Sequence, residues 1–83
     1  MKNFAKLVKE ELKAARKQHG PVNSIHEGYA VILEELDEVW DEVKKKTRER
    51  DHDHLLKELV QVAAMAQKMA EDVVIGKNYG PKR

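Results

Sequence analysis

The sequence predicts an all-α fold, a short antiparallel bundle of three main helices, in one domain spanning 1–83. Three observations lead there. Apolar residues recur at three- and four-residue spacings through three segments. Residues that start and stop helices flank those segments. No stretch alternates apolar and polar residues in the two-residue period of a strand. The helices are expected at about 3–18, 25–48 and 53–75, with an irregular tail at 76–83.

In the first segment, Phe4, Leu7, Val8, Leu12 and Ala15 form one stripe. Asn3 is placed to cap its start. His19-Gly20-Pro21 stops it, because glycine suits a C-terminal cap and proline cannot continue a helix. The second segment opens with Ser24-Ile25-His26-Glu27, the spacing of a capping box. Its stripe is Ile25, Tyr29, Ile32, Leu36, Val39 and Val43. Trp40 lies beside that stripe and reads as core, and His26 reads as exposed. Lys44-Lys45-Lys46-Thr47-Arg48 is expected to close the helix, where cations complement the negative end of its dipole.

The third segment starts near Asp51 or Asp53, either of which suits a cap. It runs through Leu55, Leu59, Val62, Met65, Ala66, Met69 and Val73 and stops at Gly76. Ala63, Ala64, Ala66 and Ala70 allow a neighbouring helix to come close. This surface is broader than two short helices can cover, which predicts a dimer or higher oligomer.

Composition narrows the function. A chain of 83 residues buries a small core. It has no cysteine, which excludes disulfides and thiolate chemistry. Charged residues make up 37% of the chain, yet the net charge is +1, which is no footprint for nucleic acid or an anionic membrane. One Trp, two Tyr and one Phe are too few for base-stacking platforms. The apolar runs are too short to cross a bilayer. Met1-Lys2-Asn3-Phe4 leads into no secretory apolar region, so the expected location is cytoplasmic.

The chemistry gathers in the acidic residues. At about 100° per residue, Glu34, Glu35 and Glu38 share a sector to one side of the second helix's apolar stripe. Glu27 and Glu42 extend that face, and the helix holds no Lys or Arg before Lys44. Clustered like charges repel unless a cation sits among them, and hard oxygen ligands suit Mg²⁺ or Mn²⁺. A solvated acidic face is the alternative. Glu58 sits on the third helix among Leu55, Val62, Met65 and Met69. A carboxylate on an apolar face is costly unless paired or metal-bound, so Glu58 is expected to face Glu34, Glu35 and Glu38 across the interface. The alternative is solvent, or a bridge to Lys6, Lys9 or Lys13. Gln61, one turn on, offers an oxygen ligand or a hydrogen bond. Asp51-His52-Asp53-His54 has metal-ligating residue types, but its place between helices makes it a polar turn with a cap. Lys13, Arg16 and Lys17, or Lys77, Lys82 and Arg83 of the tail, are candidate phosphate-binding cations, or simply solubilising ones.

Glu34-Glu35-Leu36-Asp37-Glu38 fits an E-E-x-x-E signature, and Glu58 opens a second motif of the form E-x-x-D. With these, His26-Glu27-Gly28-Tyr29-Ala30-Val31-Ile32-Leu33 and Glu58-Leu59-Val60-Gln61-Val62-Ala63-Ala64-Met65-Ala66 resemble the MazG-like family of all-α nucleoside triphosphate pyrophosphohydrolases, in a small phage- and bacterial-type branch. The likeness covers about Val22 to Asp72. It implies cleavage of a nucleoside triphosphate to the monophosphate and pyrophosphate, with Mg²⁺ or Mn²⁺ as cofactor. It also implies a metal ligand set of Glu34, Glu35, Glu38 and Glu58, with Glu34, Glu35 and Glu38 catalytic and one of them orienting water. The resemblance further implies a homodimer or homotetramer. Gln61 stands where the second motif expects Asp, and an amide oxygen is a neutral, weaker ligand. That departure favours the alternative function, a non-catalytic helical module that binds nucleotide or metal, or that oligomerises.

Overall fold

The computed structural model describes residues 3–75. The expected tail at 76–83, with Lys77, Lys82 and Arg83, lies outside the described residues. The elements are α1 (Phe4–Gln18), α2 (Ile25–Val43), a 3₁₀ turn (Thr47–Glu49), α3 (His52–Met69) and a π-helical turn (Ala70–Val74). Among the described residues there is no strand, and no helix is long and apolar enough to cross a membrane.

Side chains define the helix starts. Asn3 Oδ1 accepts from the Lys6 amide at 3.1 Å. Ser24 Oγ accepts from the Glu27 amide at 3.0 Å, while the Glu27 carboxylate reaches back to the Asn23 amide at 2.6 Å, one residue before the cap. Of the two candidate caps on α3, Asp51 takes the role, accepting from the amides of Asp53 and His54. The bonds from the Lys6, Glu27, Asp53 and His54 amides satisfy donors that the first helical turns leave open.

α1 ends at Gln18, as expected, though not through a glycine cap, and α2 ends early. α1 ends because His19 turns to extended backbone while its amide still bonds the Ala15 carbonyl. Gly20 is not a left-handed cap; its carbonyl instead accepts from Lys68 Nζ at 2.7 Å. α2 ends at Val43, five residues before the expected 48. The guanidinium of Arg50 donates twice to the Val43 carbonyl, at 3.0 and 2.7 Å. That closes the helix from outside, and the lysine run falls in the turn beyond it.

α3 is the middle element, packed on both α1 and α2. Val8 and Leu12 of α1 meet Val60 and Ala64 of α3 in the main core cluster, and Ala64 is 0% exposed. Arg16 reaches Asp72 at the far end, so α1 and α3 run parallel. α2 runs antiparallel to α3: Gly28 lies against Met69 and Glu42 lies against Asp51 and His54. A methyl group on Gly28 would come within 2.5 Å of Met69 Cγ, so the missing side chain is what lets the two helices approach there.

α2 is rolled away from the orientation its apolar stripe implies. Gly28 and Glu42 are buried and Ile32, Glu35 and Val39 are half-buried, whereas Ile25, Tyr29, Leu33, Leu36, Trp40 and Val43 are exposed. Trp40 is 58% exposed and Tyr29 64%, so Trp40 is not core. α2 packs chiefly against α3, and it presents the sector between its stripe and its acidic face. Among the described residues, the buried hydrophobic side chains are mostly Val and Ala, while two aromatics and three leucines lie exposed on α2 and α3. The surplus apolar surface therefore sits chiefly on α2, not on α3 where the sequence pattern places it.

Candidate functional site

α2 and α3 bring carboxylates together at the centre of their interface. Glu35, Glu38 and Glu58 each offer an oxygen, and the three oxygens lie within 4.8 Å of one another. Glu35 and Glu38 are three residues apart on α2, and Glu58 faces them from α3. Glu58 is buried at 6% exposure, Glu35 is half-buried and Glu38 is exposed, so the group opens to solvent on one side. Glu34 is exposed, stands outside this group and lines the neighbouring cleft.

Crowding shows in the electrostatics. Burial pushes the Glu35 carboxyl above its usual range, and the charges of Glu38, Glu58, Glu34 and Glu11 add to the push. Glu38 is pushed up first by the hydrogen bond it shares with the Glu58 carboxyl and then by that group's charge. Nearby cations answer other acids. Lys44 pairs with Asp41, Lys45 with Glu42, Lys68 with Asp72, and Arg16 with Glu71 and Asp72.

Gln61 lies on the group. Its amide is oriented by its neighbours: turned with nitrogen inward, it donates to Glu35 Oε1 at 3.1 Å and to Glu58 Oε1 at 3.2 Å. It thus ties the two helices' carboxylates together.

The far side of Glu58 belongs to His54, one helical turn earlier. Nε2 lies 3.1 Å from Glu58 Oε2 and Nδ1 lies 3.0 Å from Glu42 Oε1. Glu42 is 1% exposed and accepts from the Asp51 amide at 2.7 Å and from Lys45 Nζ at 3.0 Å. The Asp51 amide first, then His54 and Lys45, lower its pKa to about 2. On the sequence alone, Glu42 reads as the end of an acidic face and His54 as part of a polar turn. The signal that marks them is spacing: Glu42 is four residues from Glu38, and His54 is four from Glu58.

A cleft of about 470 Å³ adjoins the carboxylates, between α1, the 19–22 segment, α2 and α3. Ala14, Ala15, Val31 and Met65 supply apolar wall, while Glu11, Glu27, Glu34, Glu35 and Gln61 supply polar groups. Lys68 also lines it but is engaged with the Gly20 carbonyl. At the Lys68 end, buried Asp72 accepts from Arg16 Nη1 and from the Val22 amide, each at 2.9 Å. Burial pushes the Asp72 carboxyl up, but the Val22 amide and Arg16 outweigh it and hold it below its usual value. This knot fixes the 19–22 segment to the π-helical turn. π turns recur at functional sites, and here the turn supplies Asp72.

The candidate phosphate-binding cations are not gathered here. Arg16 is committed to Glu71 and Asp72, and Lys13 and Lys17 are exposed and not among the residues lining the cleft. No protein-family model matches the chain, and no curated protein or solved structure matches it.

Proposed function

We propose that the protein is a divalent-metal-dependent nucleoside triphosphate pyrophosphohydrolase of the MazG-like kind. The observation that carries the proposal is the convergence of Glu35, Glu38 and Glu58 from two helices beside a nucleoside-sized cleft. The donor set fits Mg²⁺ or Mn²⁺: three hard carboxylate oxygens, two of them with raised pKa values, on a side open to solvent. When bound, such an ion offsets phosphate charge and lowers the pKa of an attacking water. Glu35, Glu38 and Glu58 would hold it. Glu34, on the cleft wall but outside the cluster, is the α2 carboxylate left to orient water toward the α-phosphorus. The cleft would take the nucleoside; its apolar wall suits a base, and its carboxylates suit ribose hydroxyls and base amines and disfavour phosphate charge there. The products are the monophosphate and pyrophosphate.

The working species is a homodimer or homotetramer. The exposed side chains Tyr29, Leu33, Leu36 and Trp40 on α2 give the apolar face that a second copy covers.

Pyrophosphate release from a panel of nucleoside triphosphates, with Mg²⁺ or Mn²⁺, tests the proposal. Activity is expected in wild type and absent in Glu38→Gln. The second function, a non-catalytic nucleotide or metal binder, is favoured by one observation: the Gln61 amide donates to both Glu35 and Glu58 where an acid would ligate. Metal binding without turnover of any triphosphate would select it.

A further inference from the structure

The His54 ring spans two carboxylates on different helices. Its Nδ1 faces Glu42 on α2 and its Nε2 faces Glu58 on its own helix. We propose that His54 is a positioning residue: anchored by Glu42, it sets the rotamer of Glu58 and so shapes the metal site. The inference rests on the reading of Glu35, Glu38 and Glu58 as metal ligands.

The anchor is firm. Glu42 is 1% exposed, and its Oε2 is held by the Asp51 amide at 2.7 Å, in the turn that caps α3. Its Oε1 takes Lys45 and His54. One edge of the imidazole is therefore fixed to a side chain that is itself fixed. The other edge claims Glu58 Oε2 at 3.1 Å. Glu58 Oε1 is then left on the side of Gln61 and Glu35. A free glutamate samples many rotamers; a glutamate held at one oxygen presents the other in one place. With both ring nitrogens occupied by carboxylates, His54 has no nitrogen to spare as a ligand. Partners of this second kind orient ligands, and their loss weakens metal binding by about 10- to 100-fold.

Calorimetric titration of the full chain with Mn²⁺, alongside thermal melts in chelator, tests this. His54→Ala is expected to weaken Mn²⁺ binding by about 10- to 100-fold. His54→Gln keeps one N–H donor toward Glu58 but loses the contact with Glu42, and is expected to recover part of that loss. Glu42→Gln is expected to weaken Mn²⁺ binding in the wild-type background and to have no further effect in His54→Ala, since it acts through the ring. A purely structural role would lower the melting temperature in chelator while leaving Mn²⁺ affinity unchanged. Folded His54→Ala that binds Mn²⁺ as tightly as wild type overturns the proposal. Should His54→Ala not fold, unchanged affinity in Glu42→Gln overturns it. Wild type that binds no Mn²⁺ overturns the metal reading as well, which separates the two failures.

Discussion

Replacing Glu35 with glutamine should stabilise the protein without metal and cost it the stabilisation that metal brings. Glu35 is half-buried and faces Glu38 on its own helix and Glu58 on the next. Each like-charge contact of this kind costs about 0.2–0.5 kcal/mol when solvent-screened, and partial burial of the carboxylate adds to it. The glutamine amide carries no charge but keeps an oxygen to accept from Gln61. The expected gain in chelator at pH 7 is about 1 kcal/mol, or about 4–8 °C in a domain of this size. With metal at 100 times its dissociation constant, wild type gains about 2.7 kcal/mol. The same conversion makes that roughly 10–20 °C, and the variant gains little. The pH dependence follows from the sign of the shift. The folded-state pKa of Glu35 is raised, so the folded protein holds that proton more tightly than the unfolded chain. The associated stability is present below the ordinary glutamate pKa and is lost as pH rises through the raised one. The variant's advantage should therefore be absent in acid and grow across that window. Glu42 and Asp72 titrate in the opposite sense but are common to both proteins and cancel in the difference. Melting followed by circular dichroism, in chelator and in Mg²⁺, measures this. An unchanged or lower melting temperature for Glu35→Gln in chelator would refute the crowding on which the site rests.

Three further outcomes are expected. Gln61→Asp removes the amide donors to Glu35 and Glu58 and adds a fourth acid, so it should lose about 1 kcal/mol in chelator and bind Mn²⁺ more tightly; calorimetry showing no tighter binding would count against Gln61 standing at a ligand position. Asp72→Asn breaks a buried ion pair whose loss usually costs about 3–5 kcal/mol; because Arg16 is part-exposed the expected cost is about 2 kcal/mol, read as a melting temperature lower by roughly 10 °C. The depressed Asp72 pKa means that wild type loses this advantage as pH falls through the folded-state value, so the two melting curves should converge in acid. Trp40→Glu places a charge on the exposed α2 face and should dissociate the oligomer in sedimentation at micromolar concentration, whereas a monomeric wild type would show that no second copy covers that face.

Local chemistry was legible along the chain. The caps Asn3, Ser24 and Asp51 act through side chains adjacent in sequence to the amides they satisfy, and spacing alone exposes them. The pairing of Glu58 with Glu35 and Glu38 was also legible, because a lone acid on an apolar helix face needs a partner and α2 offered acids that lacked one. The end of α1 at Gln18 was legible too, from His19-Gly20-Pro21, but the end of α2 was not, since Arg50 closes it from beyond the intervening turn. Nor was the roll of α2. Helical periodicity identifies an apolar stripe but not which neighbour covers it, and here α3 packs on Gly28, Glu35 and Glu42 and leaves Tyr29, Leu36 and Trp40 outside. Helix content, helix starts and the acidic ligand candidates were thus determined by the sequence, through interactions within a turn or two. The burial of Glu42, the bridge through His54, the separation of Glu34 from the cluster and the engagement of Arg16 were decided only by tertiary structure, because each depends on the distance between groups on different helices.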